Sequence, residues 1–496
     1  MKVVFLAVAK YVFPLFLAFY VLNGFLALHL HGAKNHRGIA FAEKFFLYLT
    51  HFVGNLVIYL NTESEDVLIF YGCQLVLFLL VMELFPVIYP AARTDLLNHI
   101  CMLLVICFLI LTRLSVEKSV KQFAILAAAV VLFFILPAIY RKLKHPEKLS
   151  WLCFAVGVAA LGAVLVVTQV YQGAKLSLTI GPVTVQPSEF VKLTYVFMIA
   201  GFLKKGADIK KLLLSGILAA THVGILVLST DLGAALILAV AWLMMVFAAS
   251  GKKIYLAAGT AVGAAAAVAA WRLFSHIQTR VSAWLDPFAD ISDTGYQMAQ
   301  SLFAIGSGGW FGTGLYEGLP TSIPLVYQDF TFSAIAEEFG GIFAVCLILL
   351  YFLIFAVILQ SAMDQRDSFR RYLCLGLGVV FETQTFLTIG GAIKLIPSTG
   401  VTLPCISYGG SSIMSTMLLF SLVEAACIRN EEEILTRKKR EEEAREQRDN
   451  GQKAETGQKE GKQSDEGKKG GIDIRERGEN GKKRRRKDRS KEKSEE

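Results

Sequence analysis

The fold is decided by stretches such as residues 331–358, which read TFSAIAEEFGGIFAVCLILLYFLIFAVI. This run carries two acids near its start and no other charged residue. Because about 20 apolar residues in a helix cross the bilayer core, a run of this length predicts a transmembrane helix. Further candidate spans lie near 3–27, 43–60, 67–89, 97–113, 122–140, 149–170, 189–204, 212–229, 231–249, 254–271, 372–393 and 407–428. They predict an all-α polytopic membrane protein.

The composition excludes an ordinary soluble protein, since 54% of the 496 residues are hydrophobic and the mean hydropathy is +0.51. The net charge of +9 does not predict nucleic-acid binding by the core, because the densest basic run, 482–487, lies after the last span. Most of the eight cysteines lie inside apolar runs without metal-ligand spacing, which favours a packing role. The first run is long and lacks a small-residue cleavage site, so we expect a retained span rather than a signal peptide.

Basic clusters fix the expected orientation. Those at 141–148, 204–211, 252–253, 366–371 and 437–440 all fall on the cytoplasmic side if 212–250 crosses the membrane twice. The C-terminus is then cytoplasmic, Asp231 lies at an outer hairpin, and 171–188, 272–330 and 394–406 lie outside. After Arg429 aromatic residues vanish and Lys, Arg, Glu, Gly and Gln dominate, which predicts a disordered cytoplasmic tail over 429–496.

Asp329 closes the longest outer segment, 272–330, just before the span 331–358. Nearly sixty residues exceed a simple connector, and acids at a membrane surface suggest a functional site. The alternative is a helix N-cap, which Asp favours and which Asp329 taken alone indicates; the whole-chain pattern favours the site. Within the segment, 295–305 has helical apolar spacing and the glycines of 306–314 permit tight turns or a flexible connector.

Glu189 and Lys192 open a span from the outer face and share a helical face, so they can form an ion pair. Pro187 fits the first helical turn. Two interpretations stay open: a local capping and ion-pair arrangement, or an acid–base pair that faces a cavity for a charged headgroup.

The stretch 396–412 enters the final span with two prolines, three glycines and several hydroxyls. Such a broken helix start leaves backbone N–H groups for an anion such as a diphosphate. The alternative is a re-entrant turn that is simply buried in protein. Lys394, just ahead of the stretch, could add a positive charge.

Five blocks together resemble the SEDS family, the shape, elongation, division and sporulation proteins that include FtsW, RodA and SpoVE. They are Gln186-Pro187-Ser188-Glu189-Phe190-x-Lys192, Asp231-Leu232-Gly233-x-Ala235-Leu236, Gly295-Tyr296-Gln297 through Gly306-Ser307-Gly308-Gly309, Asp329-Phe330 with Glu337-Glu338-x-Gly340, and Ser407-Tyr408-Gly409-Gly410-Ser411-Ser412. Their order and spacing match over roughly 97–428. The resemblance implies a ten-helix membrane core, placed here at 93–428, with the large outer loop 272–330 before its eighth helix. About three extra spans, within 1–92, lie outside the resemblance.

The resemblance implies that the protein polymerises lipid II into peptidoglycan glycan strands outside the cytoplasmic membrane, in cell division or cell-shape maintenance. It implies a class B penicillin-binding protein and other division or elongation proteins as partners, and no nucleic acid. It places the catalytic acid at Asp329. Substrate-binding roles are expected for Glu189, Lys192, Lys175, Lys394, Gln297, Ser407, Gly409, Gly410, Ser411 and Ser412, and supporting roles for Gln186, Pro187, Ser188, Asp231, Glu337 and Glu338. The chain departs from the family's Gly-Ala-Arg-Arg-Trp, where 173–177 keeps only Lys175 as a positive charge.

The expected chemistry is inverting glycosyl transfer, with Asp329 as the general base for the acceptor's sugar 4-hydroxyl. The leaving undecaprenyl diphosphate needs charge neutralisation by lysines and a divalent cation, Mg²⁺ or Mn²⁺. With no dedicated metal cluster in the sequence, phosphate oxygens would hold that cation in part. Two rival hypotheses are a lipid II transporter, which Glu382 and the broken spans would also suit, and a scaffold without turnover.

Overall fold

The computed structural model describes residues 2–29, 33–167, 177–180, 183–204, 206, 208–448 and 450. In these ranges the chain is mainly helical, and twelve helices are long and apolar enough to cross a membrane. The prediction of an all-α polytopic membrane protein is confirmed. The chain forms two compact units, residues 1–430 and 431–496.

The helices are numbered in chain order. They are α1 Lys2–His29, α2 Ala33–Thr62, α3 Glu65–Ile88, α4 Thr94–Leu114, α5 Val116–Lys142, α6 Ser150–Val167, α7 Pro187–Leu203, α8 Ile209–Leu228, α9 Leu232–Ser250, α10 Lys253–Leu273, α11 Ser275–Leu285, α12 Tyr296–Gly308, α13 Thr331–Asp364, α14 Ser368–Ala392 and α15 Gly410–Arg448. Strands β1 Leu178–Ile180 and β2 Val183–Val185 form a two-stranded antiparallel sheet. All thirteen predicted spans have a helix. The span expected at 189–204 is α7, which has 17 residues and so measures only about 25 Å.

Local chemistry sets the helix ends that later form the site. Pro187 occupies the first turn of α7, where its missing N–H costs nothing. Asp231 caps α9 by accepting a 3.1 Å hydrogen bond from the backbone N–H of Ala234. Gly251 ends α9 in the left-handed region, at φ 65°.

The centre of the first unit is α4, which is buried along almost its whole length. Helices α2, α5 and α13 pack around it, and α1 packs against α2 and α13. Glycines permit close approach: a Cβ on Gly24 of α1 would lie 2.2 Å from Leu353 of α13, and one on Gly54 of α2 would lie 2.4 Å from Leu109 of α4. The extra N-terminal helices therefore share one hydrophobic core with the rest of the unit.

Helix α13 is broken at Gly340, whose φ of 89° and ψ of 170° are not helical. The break leaves backbone groups without helical partners, and the glycine-rich loop after α12 satisfies them. Four hydrogen bonds of 2.8–3.1 Å join the segments: Thr313 N to Glu337 O, Gly314 N to Glu338 O, Gly341 N to Gly309 O and Ile342 N to Trp310 O. The loop 309–314 is therefore fixed by hydrogen bonds and acts as a brace for the broken helix. It is not the flexible connector that its glycines also allowed.

Residues 431–448, at the start of the tail for which the composition predicts disorder, are helical. Helix α15 extends to Arg448. Glu, Lys and Arg are good helix formers, and Arg437 pairs with Glu441 one turn later at 2.7 Å. The composition excludes a buried core but not an exposed helix. The rest of the tail, including 482–487, lies outside the described residues.

Candidate active site

An open cavity of about 540 Å³ lies where the start of α7 meets α9, α11 and the segment between α14 and α15. Among its lining residues are four that the sequence predicts as site residues: Gln186, Glu189, Lys192 and Asp231. Arg280 of α11, Thr230 and residues 399–402 also line it. Residues far apart in sequence therefore meet at one end of the helix bundle, the outer end in the predicted orientation.

The predicted ion pair is present. Lys192 Nζ lies 2.9 Å from Glu189 Oε2, and both side chains are buried. Lys192 also donates to Gln384 Oε1 at 2.5 Å, and Ser415 Oγ donates to Glu189 Oε2 at 2.9 Å. The pair is both a local contact on α7 and part of the cavity wall, so the two interpretations of this stretch are compatible. Charges removed from water need such partners.

Asp231 joins the starts of α7 and α9. Ser188 Oγ donates to Asp231 Oδ2 at 2.9 Å, and Gln186 Nε2 donates to Ser188 Oγ at 3.1 Å. The backbone N–H of Gln186 in turn donates to Ser411 Oγ at 3.0 Å. Burial raises the pKa of Asp231, while its hydrogen bonds act against that shift. The chain of bonds links the starts of α7, α9 and α15.

Asp329 reaches the same region from the loop before α13. It does not cap that helix, because the residue at the N-cap is Phe330 and no side chain caps it. A Cβ on Gly400 would lie 3.8 Å from Asp329 Oδ2 and 3.4 Å from Arg280 Nη2. Gly400 thus marks the point of the cavity wall that both side chains approach. Burial raises the pKa of Asp329 to about 6, and the positive charge of Arg280 opposes the shift.

The stretch 403–412 holds the segment that carries Asp329. Ser407 Oγ donates to Gln328 O, and the backbone N–H of Tyr408 donates to Tyr327 O at 2.7 Å. Gln122 of α5 bonds the backbone on both sides, accepting from the N–H of Gly409 at 3.2 Å and donating to the carbonyl of Ser407. The N–H groups of Tyr408 and Gly409 are therefore engaged within the protein. For these two groups the hydrogen bonds favour the buried re-entrant turn, the second interpretation of this stretch.

Glu337 and Glu338 lie further along α13, and their carboxylates accept hydrogen bonds from the outer loop. Glu337 Oε1 accepts from the backbone N–H of Leu319 at 2.8 Å. Glu338 Oε1 accepts from Arg113 Nε at 2.9 Å and from the backbone N–H of Tyr316 at 3.3 Å. Both acids therefore fix the outer loop rather than line the cavity, in keeping with supporting roles.

Some predicted residues are not brought to the cavity. Gln297 is exposed on α12, and Lys394 follows α14 with its carbonyl bonded to Trp284 Nε1 at 3.1 Å. Neither lines the cavity. Gly410 starts α15 and Ser412 Oγ accepts from Thr402 Oγ1 at 2.9 Å. Lys175 lies outside the described residues.

Two residues of the site were not predicted. Arg280 sits in the outer segment, where a basic side chain departs from the positive-inside bias; that departure was the available signal. Gln384 is a polar residue inside an apolar span, and it bonds Lys192 on one side and the carbonyl of Thr402 on the other. Its distance from Lys192 in the sequence concealed the contact.

A metal would fit this site only with help from its substrate. Within the described ranges, no three His, Cys, Asp or Glu side chains form a group that could hold an ion. Divalent cations such as Mg²⁺ commonly combine one or two carboxylates with substrate phosphate oxygens. The oxygen ligands of a lipid diphosphate would have to complete such a set here.

Comparisons with known proteins cover most of the chain. A family model described as a cell cycle protein of the FtsW, RodA and SpoVE type matches residues 91–432. The peptidoglycan glycosyltransferase RodA of Mycobacterium tuberculosis is 35% identical over 270 residues, which are 51% of this chain and 57% of that protein. The probable peptidoglycan glycosyltransferase FtsW of Saccharophagus degradans is 34% identical over 322 residues, 61% of this chain and 81% of that protein. The chain thus matches little more than half the length of the mycobacterial relative.

Solved structures are similar in fold. A chain from a peptidoglycan synthase complex, described for its coordination of polymerization and crosslinking, aligns with a TM-score of 0.59 and 27% identity, over 68% of this chain and 98% of that one. The rod shape determining protein RodA of Thermus thermophilus aligns with a TM-score of 0.52 and 24% identity, over 68% of this chain and 97% of that one. The second similarity concerns the fold alone.

Proposed function

Because this chain belongs to the FtsW/RodA/SpoVE family of cell cycle proteins, we propose that it is a peptidoglycan glycosyltransferase that polymerises lipid II at the outer face of the cytoplasmic membrane. One observation carries the proposal: the Asp329 carboxylate and Arg280 approach the wall of a cavity that also holds the buried Glu189–Lys192 pair. An acid near one cation, together with a cavity that contains a second cation, suits a sugar acceptor and a lipid diphosphate donor. The protein would be a multi-pass membrane protein with a cytoplasmic C-terminus, and it would function in cell division or in the maintenance of cell shape.

Asp329 acts as the general base. Its carboxylate accepts the proton of the acceptor's 4-hydroxyl while that oxygen forms a bond to the anomeric carbon of the donor. The bond from that carbon to the diphosphate oxygen breaks with its electron pair, and undecaprenyl diphosphate leaves. A single displacement inverts the anomeric configuration, in contrast to a two-step covalent route.

Positive charge stabilises the leaving diphosphate. Lys192 is fixed by Glu189 and Gln384, so its ammonium is positioned before substrate arrives. Arg280 lies on the more exposed side of the cavity, where a guanidinium binds phosphate oxygens well. A divalent cation, when bound through the phosphate oxygens and the cavity carboxylate Asp231, would neutralise further charge.

A class B penicillin-binding protein is the proposed partner. The similar chain from a peptidoglycan synthase complex supports this assignment, since that complex couples polymerization to crosslinking. A polymerase leaves uncrosslinked strands, so a transpeptidase must consume its product.

Purified protein with and without the partner, supplied with lipid II, tests the function. Glycan strands resolved by gel electrophoresis are expected from the polymerase. In sealed vesicles a transporter would expose lipid II on the far leaflet without forming glycan, and a scaffold would do neither. Either of those results would overturn the proposal.

A further inference from the structure

Lys118 lies where two general rules disfavour a positive charge. It is in the first turn of α5, where the helix dipole favours acids. That end of α5 is also the outer end in the predicted orientation, because the basic cluster 141–148 marks the opposite end as cytoplasmic. The neighbouring Lys121 forms an ion pair with Glu117, with 2.6 Å between Nζ and Oε1. The placement of Lys118 therefore calls for a specific partner of its own.

The partner of Lys118 is the aromatic ring of Tyr327. Lys118 Nζ lies 3.3 Å from the centroid of that ring. An ammonium over the face of an aromatic ring is attracted by the negative charge of the ring face, and exclusion of water strengthens the attraction. Both side chains are partly buried. Since Tyr327 precedes Asp329 by two residues, the contact acts on the segment that carries the general base.

The same face of α5 contacts the chain where it enters α15. Gln122, one turn after Lys118, accepts from the backbone N–H of Gly409 at 3.2 Å. Ile125 follows at helical spacing, and a Cβ on Gly410 would lie 2.6 Å from its Cδ1. Residues at i, i+4 and i+7 share one face of a helix. One face of α5 therefore supports both the entry to α15 and the segment before α13.

Tyr327 is held through its backbone as well as through its ring. Its carbonyl accepts from the backbone N–H of Tyr408 at 2.7 Å. Two residues earlier, Leu325 has a φ of 56°, which lies in the left-handed region and is strained for leucine. A strained backbone keeps its conformation only where the surrounding contacts hold it there. The ring contact with Lys118 is one such contact.

We propose that Lys118 is a positioning residue for glycan polymerisation: its ammonium holds the Tyr327 ring and thereby sets where the Asp329 carboxylate lies. The inference rests on the proposed function, in which Asp329 is the general base. Lys118 does not line the cavity, so it acts through Tyr327 and not on the substrate.

Polymerisation kinetics of the full-length protein with lipid II test the proposal. Lys118→Met keeps the carbon stem and removes the charge. It should lower kcat about tenfold and leave KM within about twofold, because a small displacement of a reacting group slows the reaction without weakening substrate binding. Lys118→Arg should restore most of kcat, since a guanidinium also stacks on aromatic rings. Lys121→Met is the matched control and should retain kcat, because Lys121 pairs with Glu117.

A double-mutant cycle tests whether Lys118 acts through the Tyr327 ring. Tyr327→Leu should lower kcat about as much as Lys118→Met, whereas Tyr327→Phe keeps the ring and should retain kcat. The Lys118→Met, Tyr327→Leu double variant should be no slower than either single variant, because both remove the same contact. Losses that multiply in the double variant would overturn the proposal.

Hydrogen exchange separates this inference from the proposed function. The Tyr408 N–H bonds the Tyr327 carbonyl, and it should exchange faster in Lys118→Met than in Lys121→Met. The expected difference is about 2- to 5-fold, which is the range that one partly exposed cation–π contact supports. This difference in a wild type that forms no glycan would refute the proposed function alone. A higher KM at unchanged kcat, or a lower Tm with unchanged kcat and exchange, would overturn the positioning role of Lys118.

Discussion

Asp329 combines two properties that a general base needs. Burial raises its pKa to about 6, which strengthens the carboxylate as a proton acceptor. Its side chain is nevertheless not fully buried, which leaves room for a sugar hydroxyl to approach it. Arg280 limits the rise in pKa and keeps the carboxylate ionised near neutral pH. The side chains of both residues approach Gly400.

The polymerisation rate should depend on pH through Asp329. The base works only when ionised, so the rate should fall about tenfold per pH unit below the pKa and level off above it. Arg280→Gln removes a charge that lowers this pKa, and should move the acid limb of the profile to higher pH. Arg272→Gln removes the same charge from the end of α10, away from the cavity, and should leave the limb in place. An identical limb in all three proteins would contradict the pairing of Arg280 with Asp329.

Lys192→Met should destabilise the fold strongly. It leaves the Glu189 carboxylate buried without its cation, which costs about 3–5 kcal/mol in comparable cases. Thermal unfolding should show a large fall in Tm, partly recovered in the Glu189→Gln, Lys192→Met double variant. Lys121→Met breaks an exposed pair with Glu117 and should change the Tm little. Similar Tm values for Lys192→Met and Lys121→Met would show that the buried pair does not stabilise the fold.

At the level of single residues, helical spacing predicted the Glu189–Lys192 contact, because partners three apart on a helix are neighbours by geometry. By contrast, tertiary packing determines the hydrogen bond from Lys192 to Gln384. It also determines that Asp329 and Arg280 both approach Gly400. Spacing in one chain carries no information about them. The hydroxyl and glycine pattern of 407–412 predicted backbone N–H groups without helical partners. It did not predict that Gln122 and the segment before Asp329 accept hydrogen bonds from these groups.

Among the elements, the broken helix α13 decides the geometry of the outer loop. Gly340 interrupts the helix, and the backbone of 309–314 lies against the break. Arg113 of α4 pairs with Glu338 of α13 and donates to the carbonyl of Gly318 in the loop at 3.2 Å, which fixes the loop to α4. The loop that leads to Asp329 is thereby tied to the most buried helix, which restricts where the carboxylate can lie.

Gly312→Ala should loosen this loop. Its φ of 79° is strained for alanine by about 1–3 kcal/mol, and the added Cβ would lie 2.2 Å from the backbone oxygen of Glu338. We expect a lower Tm and faster proteolysis of the outer loop. Gly306→Ala is the control, since a Cβ there meets nothing within 4 Å. Equal proteolysis of both variants would argue against a fitted brace.

Element positions follow well from apolar run length, whereas element ends do not. Helix α7 is short because Pro187 begins it and the β1–β2 hairpin precedes it. Helix α15 extends beyond its apolar residues because the charged residues that follow are good helix formers. Some of them also form ion pairs one helical turn apart. In α15 the buried residues end where the apolar run ends, whereas the helical hydrogen bonds continue beyond that point.

In the whole molecule, the three extra helices are part of the folded unit. Helices α1 and α2 pack on α13 and α4 through Gly24 and Gly54. The family resemblance covers only the core and does not include these spans. The length of their apolar runs predicts that they are present, but not where they dock. Docking follows from shape complementarity at small residues, which a hydropathy pattern does not encode.

Gly24→Leu should separate α1 from α13. A side chain there overlaps Leu353, and overpacking of this kind costs about 1–3 kcal/mol. The Tm should fall, while Gly72→Leu on α3, where a Cβ meets nothing within 4 Å, should leave it nearly unchanged. An unaltered Tm for Gly24→Leu would mean that α1 does not pack against α13.

Glycan formation by Asp329→Asn is the most direct test of the central claim. The substitution keeps the size of the side chain and removes the base. With the Tm unchanged, we expect polymerisation of lipid II to fall by about 10²–10⁴-fold, while Asp293→Asn, at an exposed position in the same outer segment, retains normal yield. Glycan yield from Asp329→Asn within a few-fold of the wild type would contradict the assignment of Asp329 as the general base.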